Sequence, residues 1–148
     1  TVGGADADMY TRAAVAIGGL LALSKEETIY YTAFVDADGD TLTEDCNYRI
    51  AGRDPDARWW SITIYALDNY LVRNGDERHS VARSTLERTR PGHFQAIVSP
   101  EEQPANWISS RRAGSPFSLT LRLYNPGESV YSAPDKTPLP SISKESCR

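Results

Sequence analysis

The fold of this chain is decided by the stretch Arg53-Asp54-Pro55-Asp56-Ala57-Arg58-Trp59-Trp60-Ser61-Ile62-Thr63-Ile64-Tyr65. After a charged, proline-marked beginning, Trp60, Ile62 and Ile64 recur at the two-residue period of a strand with one buried face. A later stretch repeats this plan, running Gly114-Ser115-Pro116-Phe117-Ser118-Leu119-Thr120-Leu121-Arg122-Leu123-Tyr124-Asn125-Pro126. The two stretches predict two strands that lie face to face across one apolar interior.

Further segments with the same period predict additional strands, bounded by turn residues. They cover about Glu27–Val35, Asn47–Gly52, Tyr70–Val72, Ser80–Val81 and His93–Ser99. Asp36–Asp40 predicts a hairpin turn after the first of them, because Asp-Gly tolerates the positive φ that such turns require. Short strands at intervals of about ten to fifteen residues are typical of an antiparallel β-sandwich of jelly-roll type.

The two ends of the chain differ from this pattern. Apolar residues at three-and-four spacing predict an amphipathic helix over Met9–Leu23, within an N-terminal helical segment of residues 1–25 that packs on the sandwich. Gly18-Gly19 indicates either close packing of that helix or its early end. Residues 126–148 are rich in proline and predict an extended tail without regular strand pairing. We therefore expect a single domain over residues 1–148.

Composition and charge exclude several classes of protein. The 148 residues are 40% hydrophobic and 24% charged, which is ordinary for one soluble domain. The net charge of −4 argues against a nucleic-acid partner, which requires clustered basic residues. No apolar run is long enough to span a bilayer. The start at Thr1 is compatible with a removed signal or anchor segment.

Two cysteines, Cys46 and Cys147, are the only ones in the chain. A cysteine so near a terminus has little reason to be there for packing, which favours a disulfide that fixes the tail. Such a bond would indicate an oxidising compartment, the periplasm or cell envelope. The alternative is two free thiols in a cytosolic protein.

Metal sites are not indicated by the sequence. Asp36, Asp38 and Asp40 resemble the start of a calcium loop, but the glycine falls at the fourth loop position and Asn47 replaces the bidentate Glu. We therefore interpret the segment as a turn. No His-x-His pair and no zinc cluster can be drawn, so no metal and no cofactor are predicted.

Charged and aromatic residues supply the remaining candidates. Arg53, Asp54, Asp56 and Arg58 predict a polar network, because the two carboxylates can accept from both arginines. Its role is either to fix the start of the strand or to bind a ligand. His79 stands beside a turn. It either forms a hydrogen bond at the surface or belongs to a Ser-His-Asp catalytic set. A set of aromatic residues predicts a core contribution or a shelf for an apolar ligand or sugar: Trp59, Tyr65, Tyr70, Trp107 and Tyr124.

The order of several motifs resembles one known family. The motifs are Gly4-Ala5-Asp6-Ala7-Asp8 before Tyr10-Thr11-Arg12-Ala13, then Arg53 to Ser61, Ala105-Asn106-Trp107-Ile108, and Gly114 to Tyr124. Together they resemble the bacterial domain of unknown function 1214 family over nearly the whole chain. The resemblance implies a jelly-roll-like β-sandwich that follows another domain or stands alone behind an N-terminal membrane anchor. This chain resembles the stand-alone form without its anchor.

Two functions are compatible with these residues. The first is a non-catalytic envelope domain that binds a small molecule or an envelope protein, with Arg53, Asp54, Asp56, Arg58, His79 and Trp107 as candidate binding residues. The second is a hydrolase or carbohydrate-active enzyme that uses a carboxylate pair from Asp54, Asp56 or Asp68 together with an arginine.

Overall fold

The computed structural model describes residues 14–17, 27–68, 70–72 and 75–148, and this part of the chain is mainly β. Its strands are β1 (Ala14–Ile17), β2 (Thr28–Ala33), β3 (Cys46–Arg53), β4 (Ala57–Tyr65), β5 (Ser80–Ala82), β6 (His93–Ser99), β7 (Trp107–Ser109), β8 (Ser118–Pro126) and β9 (Ser141–Cys147). Within the same residues the helical structure consists of α1 (Glu128–Tyr131) and a 3-10 turn (Pro134–Lys136). None of the helices described is long and apolar enough to cross a bilayer.

The strands form two sheets. The first has the order β1-β2-β8-β4-β5 and the second the order β7-β6-β3-β9. Neighbouring strands are antiparallel except for β6 and β7, which are parallel. The expectation of a purely antiparallel arrangement is therefore wrong at this edge, where a connection of seven residues, 100–106, carries the chain back to Ile97, so that β7 lies beside the last three residues of β6.

One apolar core joins the two sheets. The core face predicted for β4 is confirmed, because Trp60, Ile62 and Ile64 are fully buried. On the opposite face Trp59 is 37% exposed, whereas Ser61 and Thr63 are also buried. The second sheet contributes residues such as Phe94, whose ring centroid lies 4.6 Å from that of Trp60. Buried residues of both sheets belong to the same hydrophobic cluster.

The predicted relation between the two longest strands is wrong. β4 and β8 do not lie face to face but are hydrogen-bonded neighbours in the first sheet, with Ile62 opposite Leu121. Both strands direct their apolar residues to the same side, and the second sheet covers that side. A two-residue period indicates which face of a strand is buried but carries no information about the strand's partner.

The predicted N-terminal helix is wrong where the structure describes it. Ala14–Ile17 is a strand that pairs antiparallel with β2, from Ala14 opposite Thr32 to Ile17 opposite Ile29. Its β-branched Val15 and Ile17 are suited to a strand, and pairing with β2 satisfies backbone groups along that edge. The rest of the predicted helix lies outside the described residues.

The turn at Asp36–Asp40 is confirmed. Val35 and Thr41 form an antiparallel bridge, and Gly39 has a φ of 86°. The strand that follows does not return to β2, however, since β3 belongs to the second sheet. The turn therefore begins a crossing between the two sheets.

The tail is more regular than predicted. Pro134–Lys136 forms a 3-10 turn, but from Ser141 onward the chain forms β9, which pairs antiparallel with β3. Pro140 is the last proline of the sequence, so every later residue has an N–H group for the ladder. Cys46 and Cys147 are opposite each other in this pair, and the predicted disulfide between them is confirmed.

Candidate functional site

The polar network at the start of β4 is built from partners distant in sequence. Asp54 accepts a hydrogen bond from Arg88, with 2.6 Å between Oδ1 and Nη1, and Arg83 Nε lies 4.0 Å from Oδ2. Arg88 also donates to the His93 carbonyl at 3.0 Å. The prediction that Arg53 and Arg58 pair with these carboxylates is wrong, since neither forms an ion pair among the residues described.

Asp56 accepts two hydrogen bonds from the start of the short helix α1. Its Oδ2 accepts a hydrogen bond of 2.6 Å from Ser129 Oγ, and its carbonyl accepts one of 2.8 Å from the Gly127 N–H. The residue before α1 supplies no side-chain cap of its own. The Asp56 carbonyl therefore satisfies one N–H at the start of α1, and its carboxylate fixes the Ser129 side chain.

We expect the variant Gly127→Ala to lower the free energy of unfolding by about 1–3 kcal/mol, the usual range for inserting a methyl group into an occupied space. A Cβ at Gly127 would overlap the Asp56 carboxylate, so this side chain would have to leave Ser129. Chemical denaturation measures the loss. In the Asp56→Ala background the same substitution should cost little; an equal cost in both backgrounds would contradict the proposed clash.

A cleft of about 500 Å³ lies beside this network. Its floor is the outer face of the second sheet at Ala51, Gln95 and Ile97, and its walls are residues 87–90 and 105–106. Along β6 the floor residues alternate with buried residues. One face of this strand therefore belongs to the core and the other to the cleft.

Asn106 holds one wall of this cleft to the sheet. Its Nδ2 donates to the carbonyls of Glu87 at 2.7 Å and Gln95 at 2.9 Å, and its Oδ1 accepts from the Glu87 N–H at 2.8 Å. Asn106 has a φ of 52°, a conformation that asparagine tolerates better than most residues. Sequence reasoning missed its role, although an asparagine directly before an edge strand was a usable signal.

Positive charge surrounds His93 at the end of the cleft. Desolvation, followed by the charges of Arg90 and Arg53, lowers the pKa of His93 below its ordinary 6.5, with Asp54 opposing. Arg53 lies opposite His93 in the ladder between β3 and β6. His93 is therefore predominantly neutral at pH 7 and can donate or accept a hydrogen bond there.

The six predicted binding residues do not converge on one site. Asp54 and Asp56 line a separate depression of about 620 Å³, and Trp107 lines a third of about 400 Å³. Trp107 Nε1 donates to the Ser99 carbonyl at 2.9 Å. His79 is partly buried and its carbonyl accepts from the Ile64 N–H at 3.0 Å.

The carboxylates suggested for hydrolysis are separated. Asp68 follows β4 and accepts a hydrogen bond of 3.0 Å from the Tyr70 N–H, whereas Asp54 and Asp56 precede this strand. Nine residues of extended strand measure roughly 30 Å, far more than the 5–10 Å that separates the carboxylates of glycosidases. Asp68 therefore forms no catalytic pair with either of the others.

The predicted aromatic shelf is partly assembled on the outer face of the first sheet. The rings of Trp59 and Tyr124 are 5.3 Å apart. Arg122 contacts the rings of Tyr30 and Tyr65 at 5.4 and 5.3 Å, and donates to the Tyr65 hydroxyl at 2.6 Å. The two other predicted members, Tyr70 and Trp107, lie in a loop and on β7.

The aspartates of the first turn are close enough to share a cation, with ligand atoms of Asp36, Asp38 and Asp40 within 4.8 Å of one another. Asp36 is only 1% exposed, and its Oδ1 accepts the N–H groups of Asp38 and Asp40. Lys144 on β9 places its Nζ 2.8 Å from Asp40 Oδ2 and 3.8 Å from Asp36 Oδ2. The lysine therefore supplies the positive charge at this turn.

Comparison with known proteins supports the fold. The VPA0106 protein from Vibrio parahaemolyticus matches with a TM-score of 0.76 and 24% identity, over 86% of this chain and 33% of that one. A putative uncharacterized protein from Burkholderia cenocepacia matches with a TM-score of 0.56 and 16% identity, over 82% and 30% of the two chains. The chain thus spans about a third of these solved structures. No curated protein matches it.

Residues 27–128 match the family described as "Protein of unknown function (DUF1214)", which is more than half of the chain. The match begins just before β2 and ends at the first residue of α1, so it contains seven of the described strands, the cleft and the Asp54 network. The resemblance inferred from the motifs is confirmed, and the chain belongs to the DUF1214 family.

Proposed function

We propose that this chain is a β-sandwich domain of the cell envelope that binds a small anionic molecule in the cleft beside His93, without catalysis. The observation that carries the proposal is the unpaired Arg90 beside the neutral His93 at the end of this cleft. Among the residues described, Arg90 forms no ion pair, whereas Arg88 is engaged with Asp54. A carboxylate or similar anion is the chemistry that an exposed guanidinium binds best.

Charges of both signs face the cleft, and the positive ones predominate. Arg88 and Arg90 line it together with one carboxylate, that of Glu87. The apolar floor residues Ala51 and Ile97 and the anchored Asn106 provide a preformed surface for the remainder of a ligand. Because Asp54 already holds Arg88, it is not available as a general base.

The placement in the envelope rests on the disulfide, since such bonds persist in oxidising compartments. The sandwich of jelly-roll type rests on the shared core and on the path of the chain. Strands that follow one another often belong to opposite sheets, as β2, β3 and β4 do and β8 and β9 do again. This crossing between layers is the connectivity expected of Greek-key and jelly-roll folds.

We expect the variant Arg90→Gln to weaken binding of benzoate, citrate or sulfate at least about tenfold, because a charge-assisted hydrogen bond contributes about 1.5–3 kcal/mol. Titration of ¹⁵N-labelled protein measures the affinity and locates the site through the amide signals of Gln95 and Asn106. The control is Arg112→Gln, which removes an exposed arginine that does not line the cleft. Equal losses in both variants, or shifts scattered over the surface, would refute the cleft as the site.

The pH dependence of sulfate binding provides a second readout. His93 gains a proton only as the pH falls below 6.5 through its lowered pKa, so binding should strengthen in that direction. The variant His93→Gln should lose this strengthening. Strengthening that persists in this variant would contradict the role of His93.

A further inference from the structure

One buried carboxylate oxygen of the turn after β2 lacks a hydrogen bond. Asp36 is 1% exposed, and its Oδ1 accepts the N–H groups of Asp38 and Asp40 at 2.9 and 3.1 Å. Its Oδ2 has no hydrogen-bond partner among the described residues. Lys144 Nζ lies 3.8 Å from this atom, which is too far for a hydrogen bond. A buried oxygen in this condition is costly, so a cation that contacts it directly is bound favourably.

Two further carboxylates lie beside Asp36. Ligand atoms of Asp36, Asp38 and Asp40 are within 4.8 Å of one another. Lys144 Nζ is 2.8 Å from Asp40 Oδ2, so one positive group already lies near the Oδ2 atoms of both Asp36 and Asp40. Three carboxylates are thus matched by one ammonium group, and the turn keeps an excess of negative charge.

The donor atoms of this group favour calcium among the common cations. All three residues offer carboxylate oxygens, which suit calcium and magnesium better than the metals bound by histidine and cysteine. Calcium accepts irregular arrangements of about six to eight oxygens, whereas magnesium requires a near-ideal octahedron. Asp38 and Asp40 are exposed, so water can supply the remaining ligands. The glutamate that an EF-hand loop needs at its last position is not required by a turn that gathers three carboxylates within five residues.

We infer that Asp36, Asp38 and Asp40 bind a calcium ion and that Lys144 competes with the ion for Asp36 and Asp40. A calcium ion approaches a carboxylate oxygen to about 2.3–2.6 Å, so it gives Asp36 Oδ2 the close contact that Lys144 does not provide. The lysine must move away when the ion binds. We therefore expect a weak site, half-saturated at about 0.1–1 mM calcium, as in extracellular calcium-binding modules.

The turn lies where the chain leaves the first sheet, and it contacts the tail. The Ala37 N–H donates to the Ile142 carbonyl of β9 at 2.8 Å, so an ion bound at the turn stabilises the contact between the turn and β9. The calcium site shares no residue with the anion cleft. It therefore stands or falls independently of anion binding.

Titration of ¹⁵N-labelled protein with calcium chloride at constant ionic strength tests the proposal on the full chain. We expect saturable shifts of the amide signals of Asp38, Gly39 and Asp40. The variant Asp38→Asn should weaken binding at least about tenfold, because the affinity of a calcium site depends on the number of its charged ligands. It keeps the backbone hydrogen bond to Asp36, so the turn should still form. The variant Lys144→Gln should tighten binding at least about threefold, since the competing ion pair is removed.

Matched controls make the same changes of charge outside the turn. Asp135→Asn and Lys136→Gln alter exposed residues of the 3-10 turn, and both should leave the calcium affinity unaltered. Equal effects in these controls, absence of saturation, or shifts scattered over the acidic surface would overturn the proposal. Binding that appears only in Lys144→Gln would also overturn it, because the lysine would then exclude calcium from the natural chain.

Discussion

Replacement of Trp60 by alanine is expected to lower the free energy of unfolding by about 3–5 kcal/mol, the range observed when a large buried aromatic side chain is truncated. Trp60 is fully buried, and its ring meets Phe94 of the opposite sheet at 4.6 Å. Since a domain of this size is stable by only about 5–15 kcal/mol, the loss is a large fraction of the total. Urea denaturation followed by circular dichroism measures it.

Two matched variants test the reason for this loss. Trp59→Ala removes the same side chain from the next position, where it is 37% exposed, and should cost less than half as much. Trp60→Phe should also cost less, because among the described residues the buried indole N–H has no hydrogen-bond partner that its removal would break. Equal losses at positions 59 and 60 would contradict the orientation of β4 on which the fold depends.

The contrast between Trp59 and Trp60 also shows what a sequence can predict. Alternation is a local property, so the buried faces of β4, β6 and β8 could be inferred without any knowledge of their partners. Strand pairing brings together residues such as Ile62 and Leu121, which are distant in the sequence. A local pattern therefore cannot predict it. For this reason the strands were predicted more reliably than the sheets they form.

Segments with weak patterns were missed for a similar reason. β7 has only three residues, too few to display a period, and its parallel pairing with β6 depends on the connection between them. β1 has apolar residues compatible with either a helix or a strand, and the edge of β2 decides in favour of the strand. Tertiary pairing overrides a local helical pattern when it satisfies the backbone groups along an edge.

The candidate site was predicted only in part. The charged residues before β4 indicated a polar network, and Asp54 does form one. Its arginine, however, is Arg88, 34 positions along the chain, because the ladder between β3 and β6 brings that loop to the start of β4. Arg90, His93 and Asn106 converge for the same reason. A binding site assembled by strand pairing can be predicted only once the pairing is known.

Removal of the disulfide, by Cys46→Ala together with Cys147→Ser, is expected to lower the free energy of unfolding by about 4–5 kcal/mol on the chain-entropy account. The bond joins residues 101 positions apart, so its main effect is to restrict the unfolded chain. Alanine suits the buried Cys46 and serine the exposed Cys147, which avoids a new buried hydroxyl. Urea denaturation of the variant measures the loss.

Reductant provides the control for this prediction. It should destabilise the unmodified protein by a similar amount and leave the double variant unchanged, because only the former has a bond to break. The native pairing of β9 should survive in both cases, since Ile142 is fully buried and Lys144 holds Asp40 at 2.8 Å independently of the sulfur atoms. A loss below about 1 kcal/mol would contradict the entropic origin and would mean that strand pairing already keeps the tail near β3 in the unfolded chain.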